Sequence, residues 1–193
     1  MPRAGVTVAR IDEVAGDTAD ASGYDSLTMA SVASELGVTV PSLYKHVEGL
    51  DGMRRRLSIA STARLAAVVS SAAIGKSRGD ALDSFCRAYR DYARSHPGRY
   101  AATVVAPRAA DEAHQAVVQS VLEPVLAVLA GYGLVQDDAI DAARLVRSSL
   151  HGFVALELTG GFGLSRDLDA SFDQLVTALD RALSDWPVTS RAG

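Results

Sequence analysis

One cysteine, Cys86, occurs in the 193 residues, so no disulfide can close within the chain and a disulfide-stapled fold is excluded. Its setting, FCRAYRDYA, has helical spacing, and Cys86 is expected as a small buried hydrophobe rather than a redox centre. Neither sign of charge dominates: 19 Lys and Arg against 23 Asp and Glu leave a formal net charge of −4, which points to no particular partner. There is no paired Cys and no His-x-x-x-His for a metal, no Gly-x-Ser-x-Gly, and no phosphate-cradling glycine loop. The histidines His46, His96, His114 and His151 are scattered. These absences argue for a protein that is not an enzyme and carries no metal or cofactor. No basic start runs into an apolar stretch, and no apolar run approaches the ~20 residues of a membrane span. A soluble cytoplasmic chain without a membrane partner is therefore expected. Alternating strand patterns of useful length are missing, whereas 48% apolar residues are ample for a core, and the expected class is all-α.

What stands out is Leu27 to Asp51, LTMASVASELGVTVPSLYKHVEGLD, in which two short helical patterns flank a glycine turn. Thr28 can cap the first, Met29, Val32, Ala33 and Leu36 share its face, and Gly37 supplies the positive φ that ends it. After the turn Gly37-Val38-Thr39, Thr39 can cap again. Pro41 follows in the first turn of the second helix, where its missing N–H costs no bond. Leu43 and Val47, four apart, point to a core. The opposite face carries Ser42, Lys45 and His46, with Thr39 and Pro41 leading and Tyr44 at the flank. Hydroxyls and a phenol can hold phosphates, and a Lys or His can reach base edges, so this is the grammar of a helix-turn-helix entering a major groove. Charge opposes that reading, because Met1 to Ser58 holds six bases against eight acids. The stretch from Thr39 to His46, however, contains no acid.

The string GYDSLTMASVASELGVTVPSLYKHVEGLDGM, Gly23 to Met53, resembles the DNA-binding segment of the tetracycline-repressor (TetR) family of transcription regulators. Thr28, Ala33, Leu36, Gly37, Val38, Leu43, Tyr44, His46 and Val47 match the family's recurrent pattern. The resemblance implies phosphate contacts by Thr28, Thr39, Tyr44 and His46, and base reading by Val40, Pro41, Ser42 and Lys45. Lys45 is the candidate for guanine O6 or N7, and Val40 and Pro41 for thymine methyls. One departure is Leu50, at the start of the next helix, where the family usually has a phosphate-clamping Lys. By the same resemblance the protein is a regulator, by default a ligand-released repressor, that binds a palindromic operator as a homodimer. The alternative is a dimeric small-molecule-binding module that has lost DNA recognition.

Upstream, Val8, Ile11, Val14, Ala15 and Ala19 fall at helical intervals behind a Thr7 cap, with Gly16 weakening that helix by about 1 kcal/mol against Ala. The residues before it, Arg3 among them, form a short arm. Downstream the spacing predicts helices from Leu50 to Ala73, Asp80 to Ser95, Arg99 to Val105, Asp111 to Ala130 with a kink or break at Pro124, Asp137 to Leu158 and Asp169 to Leu183. Two domains are expected: 1–55 for the DNA-binding headpiece and 56–193 for effector binding and dimerisation. Phe172, Leu175, Val176, Leu179 and Leu183 make one apolar stripe in the final helix. In the resembled family the last two helices form the dimer interface. Leu150 to Val176 further resembles the C-terminal domain of the branch named for a Trp-His-Gly triplet, here Leu150-His151-Gly152. An effector would then sit among the middle helices, with Phe85, Tyr89, Tyr92, Tyr100, His114, His151 and Phe153 as candidate contacts.

Overall fold

Helices account for all the regular structure in the computed structural model, which describes residues 6–187; the all-α expectation holds, and the arm with Arg3 lies outside the described residues. In chain order they are α1 (Val8–Ser22), α2 (Met29–Leu36), α3 (Val40–Leu43), α4 (Gly49–Ala73), α5 (Arg78–Ser95), α6 (Pro97–Thr103), α7 (Glu112–Ala130), α8 (Gln136–Leu158) and α9 (Leu168–Ser184). They form two compact units. Among the described residues the first holds residues 6–64 together with Ser95–Val118, the second Leu65–Arg94 together with residues 119–187. The packing thus joins α6 and the start of α7 to the headpiece, an association across ~80 residues of sequence that no local pattern announces.

In the first unit the caps are as the sequence predicts for two helices of three. Thr7 accepts the Arg10 amide and opens α1. Thr28 and Ser31 form a reciprocal capping box at α2: the Ser31 amide donates to the Thr28 hydroxyl at 3.0 Å, and the Thr28 amide to the Ser31 hydroxyl at 3.2 Å. Gly37 ends α2 at φ 65°, the left-handed conformation expected of it. Thr39 does not cap: its hydroxyl is 3.0 Å from that of Ser42 and makes no bond to the backbone of α3. Ile11, Leu27, Val32, Leu43, Val47, Met53 and Leu57 close over one another as the headpiece core.

Helix α6 starts at Pro97, two residues before the expected Arg99, because a proline in the first helical turn sacrifices no hydrogen bond. It lies backbone to backbone on α1. A Cβ on Gly98 would overlap the Ala19 carbonyl and the Asp20 amide, and one on Gly16 would overlap the Arg99 guanidinium. Gly16, a flaw by helix propensity, is the space in which that guanidinium lies. There Arg99 pairs with Asp20, reaches Asp17 at 2.8 Å and donates to the Glu13 carbonyl at 3.1 Å. Burial opposes its charge, but the bonds to Asp17 and Asp20 outweigh that and raise its pKa.

In the second unit α5 buries Leu82, Phe85, Cys86, Tyr89 and Tyr92 on one face. Cys86 is fully buried, as its apolar setting implied. Helix α7 runs unbroken through Pro124, contrary to a break there; Pro124 is itself buried beside Val125, Val128 and Leu129. By length and composition α7 is also apolar enough to cross a membrane, which the scattered polar residues of Glu112–Glu123 disguise in the sequence. Helices α8 and α9 pack together, and the end of α8 meets the start of α9 through Arg90, whose guanidinium reaches Glu157 at 2.6 Å and Asp169 at 2.8 Å. Of the predicted α9 stripe, Phe172, Val176, Leu179 and Leu183 are buried and Leu175 half-buried.

Candidate DNA-reading surface

Helix α3 has only four residues, and the chain continues from Tyr44 to His46 as turns, with the His46 and Val47 amides both donating to the Leu43 carbonyl, at 2.9 and 3.0 Å. The expected helix to Val47 is therefore shorter, yet the sidedness survives. Leu43 and Val47 are buried at 0% and 5% exposure, whereas Thr39, Pro41, Tyr44, Lys45 and His46 are exposed. Ser42 is half-buried beside the Thr39 hydroxyl. Tyr44 is 60% exposed, unusual for so large a side chain. No ion pair among the described residues engages Lys45. Val40 departs from the expected pattern, since it is half-buried and packs on the headpiece core, which leaves Pro41 as the apolar group presented outward. Leu50 is likewise half-buried against that core, so the family's lysine position is occupied here by a packing residue.

The segment before Thr28 is held by Arg54 of α4. Its guanidinium donates to the Asp25 carbonyl at 2.9 Å and the Leu27 carbonyl at 3.3 Å, and lies 5.4 Å from the Tyr24 ring centre. Burial pushes the Tyr24 hydroxyl up, and Arg54 works against that shift. Next to it Arg55 grips Asp111 with two hydrogen bonds, which hold that carboxyl at about 2, well below its ordinary value. Arg56 pairs with Asp12 at 2.6 Å. The run Arg54-Arg55-Arg56 thus makes three inward ties, to the Asp25 and Leu27 carbonyls, to Asp111 and to Asp12.

Ser58, His114 and Asp111 form a Ser-His-Asp arrangement that sequence reasoning missed, since 56 residues separate the first two. It is a strut, not a nucleophile. Ser58 is fully buried and donates its single proton to the Ala102 carbonyl at 2.7 Å. His114 Nε2 must then donate to Ser58 Oγ, 2.9 Å away, and His114 Nδ1 is 4.0 Å from Asp111.

The candidate effector residues are divided by the packing. Tyr100 and His114 belong to the first unit, and both are buried. Phe85, Tyr89, Tyr92, His151 and Phe153 belong to the second. Phe85, Tyr89 and Tyr92 are core residues. Phe153 stands in an aromatic group, 4.9 Å from Phe162 and 5.2 Å from Phe172 between ring centres, with Arg90 4.7 Å over Phe172. His151 is half-buried on α8. Arg90 and Glu157 have no signal in the sequence beyond an arginine on an apolar helix face.

A family model for the tetracycline repressor-like C-terminal domain matches residues 82–179. The HTH-type transcriptional regulator Rv0681 of Mycobacterium tuberculosis is 40% identical over 161 residues, 83% of this chain and 73% of that protein. The HTH-type regulator YobS of Bacillus subtilis is 29% identical over 168 residues, 86% of this chain and 87% of that protein. Among solved structures, a possible TetR family transcriptional regulator from Streptomyces coelicolor A3(2) superposes with a TM-score of 0.70 over 91% of this chain and 98% of that one, at 19% identity, a likeness of fold. With its capped α2, its left-handed Gly37 and an exposed α3 turn over a closed apolar core, the chain belongs to the tetracycline-repressor family and is a DNA-binding transcriptional regulator.

Proposed function

We propose that the protein is a ligand-released repressor that reads a palindromic operator as a homodimer, with the turn from Thr39 to His46 in the major groove. The observation that carries this reading is the surface itself: Pro41, Tyr44, Lys45 and His46 are exposed while Leu43 and Val47 anchor the turn from beneath. Lys45 is the base-reading donor, Ser42 a second polar contact, and Pro41 takes over the thymine-methyl contact that Val40 shares with the core. Thr28, Thr39, Tyr44 and His46 hold phosphates. The headpiece is residues 1–55, and the remainder carries effector binding and dimerisation. Cytoplasmic localisation follows from the partner, since duplex DNA is where the reading turn must work. Placement in the Trp-His-Gly branch rests on His151-Gly152 within the matched C-terminal domain.

Dimerisation through α8 and α9 is supported by two features of α8. Nothing lies within 4 Å of where a Gly152 Cβ would stand, so the helix backbone is bare there. Ile140 at 36% and Leu156 at 47% exposure extend the same helix as large apolar groups in water. Selection from random duplex DNA at about 0.15 M salt tests the reading, because that ionic strength suppresses loose electrostatic association. An enriched inverted repeat with half-sites about one helical turn apart is expected. Enrichment of nothing, with a dimer in light scattering, favours instead a ligand-binding dimer without DNA recognition, the reading to which Leu50 at the lysine position points.

A further inference from the structure

A cleft of about 320 Å³ opens at the root of α4, wholly within the first unit, between the Tyr24 turn, the first turns of α4 and the segment joining α6 to α7. Its charges look balanced: Arg54, Arg55 and Arg108 face Glu48, Asp51 and Asp111. They are not equally free. Asp111 is cancelled by Arg55, which binds both of its oxygens. Asp51 meets Arg108 at 3.3 Å, but their side chains are 78% and 80% exposed, and such a pair exchanges readily for another partner. Glu48 is exposed and makes no ion pair among the described residues, so it can turn into water. Arg54 cannot. It is pinned by the carbonyls of Asp25 and Leu27, has no carboxylate partner among the described residues, and its Nε is buried without an acceptor. The fixed charge of the cleft is therefore positive, with an aromatic ring beside it.

We infer that this cleft binds a small oxyanion, an organic carboxylate or a phosphate ester, between Arg54 and Arg108 with Tyr24 alongside. The class follows from what is missing: Arg54 is a half-buried cation compensated only by neutral groups, two carbonyl oxygens and the Tyr24 ring, and Arg108 is an exposed cation on a weak tether. The concave shape and its volume suit a small molecule rather than a surface contact. An anion that draws Arg108 from Asp51 links the segment after α6, through Arg54, to the carbonyls immediately before the Thr28 cap. Occupancy thus bears on the placement of α2, independently of any ligand in the second unit.

The anion titrations use DNA-free protein, so they do not depend on the operator reading, and the salt slope of duplex binding is measured separately. Sodium benzoate and inorganic phosphate are titrated separately at low ionic strength, and the ring resonances of Tyr24, assigned with Tyr24→Phe, are followed by NMR. A saturable shift with at least one anion is expected, weakened about tenfold or more in Arg108→Ser and in Arg54→Met. Thermal melts verify that both variants fold; Arg108 is so exposed that its variant keeps the test decisive even where Arg54→Met does not fold. The inference is overturned by the absence of a saturable shift up to about 20 mM, far beyond millimolar affinity. Equal binding by wild type and variants also overturns it. So does a third outcome, in which the small anions are silent while Arg108→Ser lowers the salt slope of duplex binding by about one, since the oxyanion is then a phosphate of bound DNA.

Discussion

Replacing Gly98 by alanine should destabilise the protein, although helix propensity alone favours alanine there by roughly 1 kcal/mol. The added Cβ would overlap the Ala19 carbonyl and the Asp20 amide, atoms of the α1 backbone that no rotamer change can move aside. Relief requires α6 to withdraw from α1. Overpacking of this kind costs about 1–3 kcal/mol. Withdrawal also stretches the Asp20 bonds to the Arg99 amide, at 2.8 Å, and to its guanidinium. Breaking a buried pair outright costs about 3–5 kcal/mol, of which only part applies because Asp20 keeps His96 at 3.2 Å and Asp17 is largely exposed. After the propensity gain is subtracted, a net loss of roughly 2–3 kcal/mol remains, or about 4–12 °C in Tm for a chain of this size. Urea unfolding followed by circular dichroism measures it. Gly16→Ala is the internal control, since its Cβ meets only the Arg99 guanidinium, the end of a side chain. It should cost stability in the wild type and add stability in an Arg99→Met background, whereas Gly98→Ala should stay destabilising in both, by less in Arg99→Met, where the guanidinium bonds are already gone and the backbone overlap remains. A Gly98→Ala protein as stable as the wild type, or a Gly16 effect indifferent to Arg99, refutes the close-packed α1–α6 joint.

On the reading surface, Lys45→Ala should lose about 1–3 kcal/mol at one base position, while Tyr44→Phe should weaken binding to all sequences alike, as competition titrations against a mismatched operator series will show. Acid should undo the Arg55–Asp111 tie. Its carboxyl sits at about 2 in the folded chain against an ordinary 3.8, so the stabilisation is full above the higher value and is lost as pH falls through the lower. The stability difference between wild type and Asp111→Asn should therefore shrink between about pH 4 and pH 2, and a constant difference would show that the pair contributes nothing through charge. Burial pushes the Cys86 thiol up to about 12 and closes it to solvent. Iodoacetamide should label Cys86 at pH 8 only in urea, and rapid labelling of the folded protein would contradict its place in the α5 core.

The reading turn was legible because its determinants are local. Thr28 and Ser31 cap at three residues' distance, Gly37 ends α2 by its own φ, and Leu43 and Val47 anchor at four. Thr39 misled because a hydroxyl three residues away, that of Ser42, competes for it better than the α3 amides do. Val40 misled for another reason: in so short a helix the flank is near the core, and an apolar side chain takes the buried option. What the sequence hides is the binding of α6 to α1. The partners of Arg99 are 79 to 86 residues away, and the two glycines that admit the contact look, in a helical window, like defects. The cleft is hidden in the same way, because Arg54 and Arg108 acquire meaning only once the segment after α6 is folded against α4.

The acidity of the N-terminal segment, which counts against a DNA reader when residues are simply summed, loses that force once its partners are traced. Asp12 is spent on Arg56, Asp17 and Asp20 on Arg99 and Glu13 on Arg10, while Asp51 shares the weak, exchangeable pair with Arg108. Two of those arginines, Arg99 and Arg108, lie outside the first 58 residues and are absent from the local sum. A carboxylate with a guanidinium a few ångströms away presents a dipole rather than a charge to a phosphate a Debye length distant, and its field falls off correspondingly faster. The turn from Thr39 to His46 bears no acid and carries the unengaged Lys45. Net charge is a property of the whole segment, whereas a duplex meets one face of it, and on that face the balance is positive.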